Sequence, residues 1–209
     1  MLRFEPRKNR SKFLEISAPI IAVIMTMIFG GLLFYLMGKN PFEAIKLIFW
    51  DPVMSPTFSE YSRPQLAVKA APLILIALGL SFGFRANIWN IGAEGQYIMG
   101  ALASGSIGLA LYPLQAWYIF PLMIIGGILG GVIWAMIPAI LKIKFNTNEI
   151  LVSLMLVYVA EQILALASVG FLRNPEGLGF PGSRDLSKYS SAANPELISG
   201  TGIHLGVIC

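Results

Sequence analysis

Long apolar segments constrain the fold of this chain more than any other sequence feature. A helix needs about 20 apolar residues to cross a hydrocarbon core of about 30 Å, and five segments have about that length. Because only helices and closed barrels satisfy their backbone polar groups in lipid, the sequence predicts an all-α, polytopic transmembrane helical bundle with five full spans. The predicted spans are Ile16–Met37, Leu66–Phe84, Ala93–Tyr112, Tyr118–Leu141 and Ile150–Leu172.

A sixth apolar run begins near Ile203 and reaches the end of the sequence at Cys209. This run is too short to cross a bilayer, and half a span leaves backbone groups unsatisfied in lipid. We therefore expect it to be the start of a sixth span. We also expect residues 1–209 to form a single transmembrane domain, the N-terminal part of a longer domain that is truncated here.

Composition excludes several classes of protein. Charged residues make up 12% of the chain, about half the share in soluble globular domains, and a hydrophobic content of 56% excludes intrinsic disorder. Cys209 is the single cysteine and His204 the single histidine, which argues against a disulfide framework and a zinc site. The sequence contains no P-loop and no Ser–His–Asp set. Hydrolytic catalysis is not predicted, and any use of ATP would require another chain.

The distribution of basic residues predicts the orientation. The segment Met1–Phe13 contains five basic residues and one acid. The loops on the opposite side, 38–65 and 173–202, are longer, and acids dilute their basic residues. The positive-inside rule then predicts a cytoplasmic N-terminus. Residues 1–13 become a basic cytoplasmic tail and residues 173–202 an extracytoplasmic loop, so the net charge of +4 reflects topology rather than nucleic-acid binding.

Two sequence patterns predict local structure in the bundle. Asn146, followed three residues later by Glu149, is typical of a capping-box start for the fifth span. Small residues recur in the third and fourth spans and predict close helix packing. These are Gly100, Ala101, Ser104 and Gly105 in the third span, and Gly126, Gly127, Gly130 and Gly131 in the fourth.

Polar side chains cluster in the short connection between the second and third spans. Polar groups near membrane depth are costly and usually face a cavity or a partner, and interrupted helices with glycine and amide side chains often line a polar pathway. The equally weighted alternative is a water-exposed turn whose acid favours the helix N-terminus. The polar residues concerned are Asn87, Asn90, Glu94 and Gln96.

Glu161 is an acid inside the fifth predicted span. At about 1.5 Å per residue it lies about 18 Å from the start of that helix. An ionisable residue at such a depth is a functional candidate by default. The competing interpretation is an acid that faces water or is paired at an interface.

The run Phe84–Gln96 resembles the signature of bacterial ATP-binding-cassette (ABC) transporter permeases of the nucleoside and simple-sugar group. These are relatives of the ribose and branched-chain amino acid permeases, and their pattern is approximately F-R-x-G-x-x-N-I-G-x-E-G-Q. The resemblance is collinear along nearly the whole chain. Weaker matches occur in order at Gly38–Pro41, Ala71–Leu73, Asn148–Ile150 and Gly202–Gly206.

The resemblance implies a multi-pass permease of a bacterial-type plasma membrane that imports a small polar solute, a nucleoside or a simple sugar. It implies no cofactor in this chain, because ATP would be bound by separate ABC ATPase subunits. Further implied partners are a second permease chain, identical or different, and an extracytoplasmic solute-binding lipoprotein. The candidate pathway residues are Asn87, Asn90, Glu94 and Gln96, together with Glu161.

The chain also departs from the family pattern. Asn87 stands where the family more often has glycine, and Val157 where it often has asparagine. Nothing in the sequence matches the family's later cytoplasmic loop that docks the ATPase. An ion-coupled secondary transporter and a membrane assembly subunit are the alternative interpretations.

Overall fold

The computed structural model describes residues 11–178 and 180–204. The chain divides into two compact units, Met1–Leu66 and Ala67–Cys209. The predicted basic tail lies mostly outside the described residues. Of that tail, Lys12 and Phe13 are already helical.

The first unit contains one long helix followed by short helical turns. Helix α1 spans Lys12–Leu36 and is followed by α2, Pro41–Ile45. The Asn40 side chain accepts a hydrogen bond from the Phe42 amide at 3.1 Å and caps α2. A π-helical turn, Lys46–Trp50, leads into α3, Asp51–Met54.

The second unit is built mainly from long helices. Helix α4, Ser59–Arg85, contains the division between the two units and is followed by α5, Ala93–Ala110. Helices α6, Ile119–Phe145, and α7, Glu149–Val169, complete the series and pack with α5.

Glycines allow α5 and α6 to approach each other closely, as their spacing predicts. A methyl group on Gly100 would lie 2.9 Å from the Gly127 carbonyl oxygen. One on Gly130 would lie 2.9 Å from the Met99 carbonyl oxygen. Neither position has room for a larger residue, so the prediction of close helix packing is confirmed here.

Four described helices, α1, α4, α6 and α7, have the length and apolar composition to cross a membrane. Their positions match four of the five predicted spans, and the predicted helical architecture is confirmed. The third predicted span corresponds to α5, which has 18 residues but is not apolar enough to join these four. Glu94 and Gln96 in its first turns lower its hydropathy, so the count of five spans remains a prediction.

The predicted start of a sixth span remains a prediction, because only its first two residues, Ile203 and His204, are among the described residues and they are not helical. Ile203 and His204 form strand β2, which pairs antiparallel with β1, Glu196–Ile198. Gly200 and Gly202 adopt positive φ angles of 80° and 72° and allow the chain to turn back. The rest of the predicted start, residues 205–209, lies outside the described residues.

A buried cluster joins the α5–α6 connection to the predicted loop 173–202. Ile119 and Tyr189 form its centre, with Met123 and Ala192 beside them. The Tyr189 hydroxyl donates to the carbonyl oxygens of Leu111, at 3.1 Å, and Leu114. Burial raises the pKa of this phenol, which keeps it a neutral donor.

Candidate functional site

A cavity of about 440 Å³ lies between the α4–α5 connection, α6 and the start of α7. Trp89 and Ile143 contribute to its apolar wall. Its polar side chains come from four segments, the α4–α5 connection and the helices α5, α6 and α7. These side chains are Asn87, Asn90, Gln96, Lys142, Glu149 and Ser153.

The turn after α4 directs the chain along the cavity. Asn87 has a φ angle of 57°, in the left-handed region that asparagine tolerates better than most residues. The Ile88 amide donates to the Gly83 carbonyl oxygen at 2.9 Å, which closes the end of α4. This conformation gives a physical reason for glycine in the related pattern, and it places the Asn87 side chain at the cavity wall.

Asn90 and Gln96 are joined by a direct hydrogen bond. The Asn90 amide nitrogen donates to the Gln96 side-chain oxygen at 3.2 Å. The Asn90 side-chain oxygen also accepts from the Gly92 amide at 2.9 Å, at the start of α5. Both side chains are half-buried. The structure thus combines two of the predicted pathway residues in one fixed polar unit.

Ser153 is a site residue that the sequence argument missed. This α7 residue is buried. Its hydroxyl accepts a hydrogen bond from the Ile91 amide at 3.3 Å and donates one to the Ile150 carbonyl oxygen at 3.1 Å. Gly92 makes this contact possible, since a methyl group there would lie 2.8 Å from the Ser153 carbonyl oxygen. A lone serine in an apolar span gives no sequence signal for such a contact.

Lys142 and Glu149 add an ion pair to the cavity wall. The Lys142 ammonium lies 2.8 Å from the Glu149 carboxylate. The two side chains are 45% and 19% exposed, so the acid is the more enclosed partner. The sequence signal that could have predicted this ion pair is the presence of opposite charges at the two ends of a short helix connection.

Glu94 and Glu161 lie outside this cavity. Glu94 is exposed in the first turn of α5, a position that also fits the alternative of an acid favoured by the helix N-terminus. Glu161 is exposed on α7, whereas Val157 and Ala160 lie on its buried face. Within residues 11–178 and 180–204, neither carboxylate has an ion-pair partner.

The cavity offers hydrogen bonding rather than bond-breaking chemistry. Three side-chain amides provide donors and acceptors, and the Trp89 indole provides an apolar surface. No group of three or more metal-ligating side chains occurs among the described residues. Such a lining suits a small organic molecule with several uncharged polar groups.

The protein family described as "Branched-chain amino acid transport system / permease component" matches residues 62–198. The matched segment contains every residue that lines the cavity. No solved structure is significantly similar to the chain.

Several curated proteins are similar over most of the chain. The glucose ABC transporter permease protein TsgB13 of Haloferax volcanii is 31% identical over 199 residues, which cover 95% of this chain and 50% of that protein. The guanosine ABC transporter permease protein NupP of Bacillus subtilis is 30% identical over 68% of this chain and 39% of its own length. The nucleoside ABC transporter permease protein NupB of Lactococcus lactis is 27% identical over 71% of this chain and 40% of its own length. The chain therefore spans half or less of the length of these relatives.

Proposed function

Because the chain belongs to the family of permease components of branched-chain amino acid transport systems, we propose that it is a permease subunit of an ABC importer. In this proposal it forms part of the translocation pathway for a small polar solute. The observation that carries the proposal is the family match over residues 62–198, which includes every residue that lines the first cavity.

A nucleoside or a simple sugar is the proposed solute. The names of three relatives refer to glucose, guanosine and nucleosides as transported solutes. The cavity supports the same class, since Asn87, Asn90 and Gln96 offer uncharged donors and acceptors. Sugar hydroxyls and nucleobase edges bind to such groups without a net charge on the solute.

The proposed partners supply energy and solute. Two ABC ATPase subunits bind ATP, a second permease chain completes the pathway, and an extracytoplasmic lipoprotein delivers the solute. ATP-driven closure of the ATPases would then shift the permease between inward-open and outward-open arrangements. No cofactor is assigned to this chain itself.

A cytoplasmic N-terminus is the proposed orientation. The connection after α4, the last turns of α6 and the start of α7 contribute residues to the same cavity, which supports placing both helix connections on one side of the bilayer. Arg85, Lys142 and Lys144 are concentrated on that side. This distribution favours the cytoplasm under the positive-inside rule.

Glu161 is the proposed pathway residue within a span. It is exposed on α7 on a surface that the described residues leave uncovered. An ionised side chain at this depth is too costly to face lipid. We assign this surface to the solute pathway or to the second permease chain beside it.

Identification of the partners is the first test. The protein is purified gently from its native membrane, and the proteins that co-purify are identified by mass spectrometry, with an unrelated polytopic membrane protein as the control. A P-loop ATPase at near-equal amount would support the proposal. Its reproducible absence from intact protein would contradict the proposal and favour an ion-coupled carrier or an assembly subunit.

Uptake measurements then test the solute. A strain that lacks the gene is compared with the complemented strain for uptake of labelled guanosine and labelled glucose. The proposal predicts loss of uptake for one of these solutes in the deletion strain and recovery on complementation. If the deletion strain took up each solute as well as the complemented strain does, this solute class would be ruled out.

A further inference from the structure

A second cavity, with a more polar wall than the first, lies at the opposite ends of α5 and α7. Its volume is about 420 Å³. Two arginines, Arg173 and Arg184, line it together with Tyr112, Phe171 and Leu172, and these five residues define the arginine pocket. Because α7, one of the four candidate membrane helices, runs from the first cavity towards this one, we expect the two cavities to lie near opposite membrane faces.

Backbone hydrogen bonds after α7 bring the two arginines to one place. The Gly182 amide donates to the Ser168 carbonyl oxygen at 3.2 Å. The Asn174 amide donates to the Gly182 carbonyl oxygen at 2.8 Å. The chain therefore folds back over the end of α7, and Arg184 joins Arg173 at the same cavity.

The two guanidinium groups have different environments. Arg184 is 28% exposed, lies 4.6 Å from the centre of the Tyr112 ring and contacts the Glu176 carboxylate at 3.1 Å. Glu176 is itself 79% exposed, so water weakens this ion pair. Arg173 is exposed, and its guanidinium has no hydrogen-bond or ion-pair partner among the described residues.

Nearby charges leave the arginine pocket positive. Glu176 and Asp185 are the acids of this segment, and neither lines the cavity. Lys188 is a further exposed cation, also outside the lining. Two guanidinium groups in the wall thus favour a ligand that carries negative charge, and their planar donor sets match phosphate oxygens.

The position of the pocket relative to the spans indicates where this ligand comes from. Helix α7 ends at Val169, and Phe171, two residues later, is the first residue after α7 that lines the pocket. Aromatic and basic residues just beyond a span lie at the level of the lipid headgroups. Phe171 and Leu172 give the pocket an apolar side, which a soluble anion does not need.

We propose that the arginine pocket binds the phosphate of an anionic phospholipid in the membrane leaflet around the ends of α5 and α7. Arg173 and Arg184 bind the phosphate oxygens, and the glycerol and upper acyl chains contact Phe171 and Leu172. The site is separate from the first cavity, because the two share no lining residue.

Lipid titration of the full chain in detergent tests this proposal. Short-chain phosphatidylglycerol and short-chain phosphatidylcholine are titrated separately, and binding is measured by microscale thermophoresis. The variants are Arg173→Gln, Arg184→Gln and the matched control Lys188→Gln, which removes a charge from the same segment outside the pocket. Arg173→Gln is the more informative variant. Arg184→Gln also removes the ion pair with Glu176, so a loss of binding in that variant could have a second cause.

The expected result is that phosphatidylglycerol binds about tenfold more tightly than phosphatidylcholine, and that Arg173→Gln removes most of this preference. Lys188→Gln should leave the preference unchanged. Unchanged phosphatidylglycerol binding in Arg173→Gln would overturn the proposal, as would an equal loss in Lys188→Gln. Displacement of the lipid by inorganic phosphate at a similar concentration would overturn it in favour of a soluble anion.

Discussion

Lys142 and Glu149 form an ion pair of 2.8 Å that joins the last turn of α6 to the first residue of α7. The pair bridges the short connection between the two helices and lies at the wall of the first cavity. Its geometry makes it a fixed edge of the candidate solute site.

Removal of either charge should lower stability modestly. Partly exposed ion pairs contribute about 0.2 to 1 kcal/mol, so Lys142→Met and Glu149→Gln should each lower the apparent Tm in detergent slightly. The double variant should lose no more than the larger single loss, because the interaction can be removed only once. Lys144→Met is the matched control, in the same turn but without an ion pair among the described residues. Fully additive losses would show that the pair does not interact.

Gly92 should not tolerate a side chain. A methyl group there would lie 2.8 Å from the Ser153 carbonyl oxygen and 2.9 Å from its Cβ atom. Overpacking of this kind costs about 1 to 3 kcal/mol, so Gly92→Ala should clearly lower the apparent Tm. Gly105→Ala is the control, since nothing lies within 4 Å of its added methyl group. A helical alanine there should be neutral or stabilising, and equal effects of the two variants would contradict the packing at Gly92.

The sequence predicts the helices of this protein better than their contacts. Apolar length is a local property, and it locates the four long membrane helices to within about four residues at every end except the start of α4, which lies seven residues before the predicted Leu66. The burial of Ser153 depends on its close contact with Gly92, which lies far away in the sequence. No local sequence pattern predicts a contact between two such distant positions. The structure therefore brings only some of the predicted pathway residues together. Asn87, Asn90 and Gln96 line the cavity, whereas Glu94 and Glu161 do not.

Helix ends illustrate the same limit on a smaller scale. The predicted cap of α7, Asn146, instead ends α6 in the left-handed conformation, with a φ angle of 50°. Asn148 caps α7 and accepts from the Ile150 amide at 3.0 Å. Both asparagines suit either role. The backbone conformation at each asparagine decides which of the two roles it takes, and the sequence alone does not determine that conformation.

Asn90 should couple the cavity wall to the start of α5. In Asn90→Asp the oxygen that accepts from the Gly92 amide is kept, but the nitrogen that donates to Gln96 is lost. We expect solute uptake to fall with little change in apparent Tm. Asn90→Leu removes both bonds and should also destabilise the protein by about 1 kcal/mol. If Asn90→Asp transported normally at equal membrane abundance, the Asn90–Gln96 contact would have no role in transport.

Glu94→Gln distinguishes the two interpretations of this exposed acid. If Glu94 lies on the solute pathway, the variant should insert normally and show impaired uptake. If the acid only favours the N-terminus of α5, the variant should lose about 0.3 to 1 kcal/mol of stability and transport normally. We expect impaired uptake, measured with membrane abundance as the reference. Unchanged uptake would remove Glu94 from the pathway.

We expect Glu161, on the uncovered surface of α7, to be required for solute uptake. An acid within a span costs about 2.5 kcal/mol or more when it faces lipid, so we expect its carboxylate to contact solute, water or another chain in the assembled transporter. Glu161→Gln keeps the shape and removes the charge, and uptake should fall while insertion stays normal or improves. Glu196→Gln provides the matched control, since it removes an exposed acid from β1, outside the spans. Equal uptake by wild type and Glu161→Gln would show that the charge faces neither the solute nor an essential partner surface.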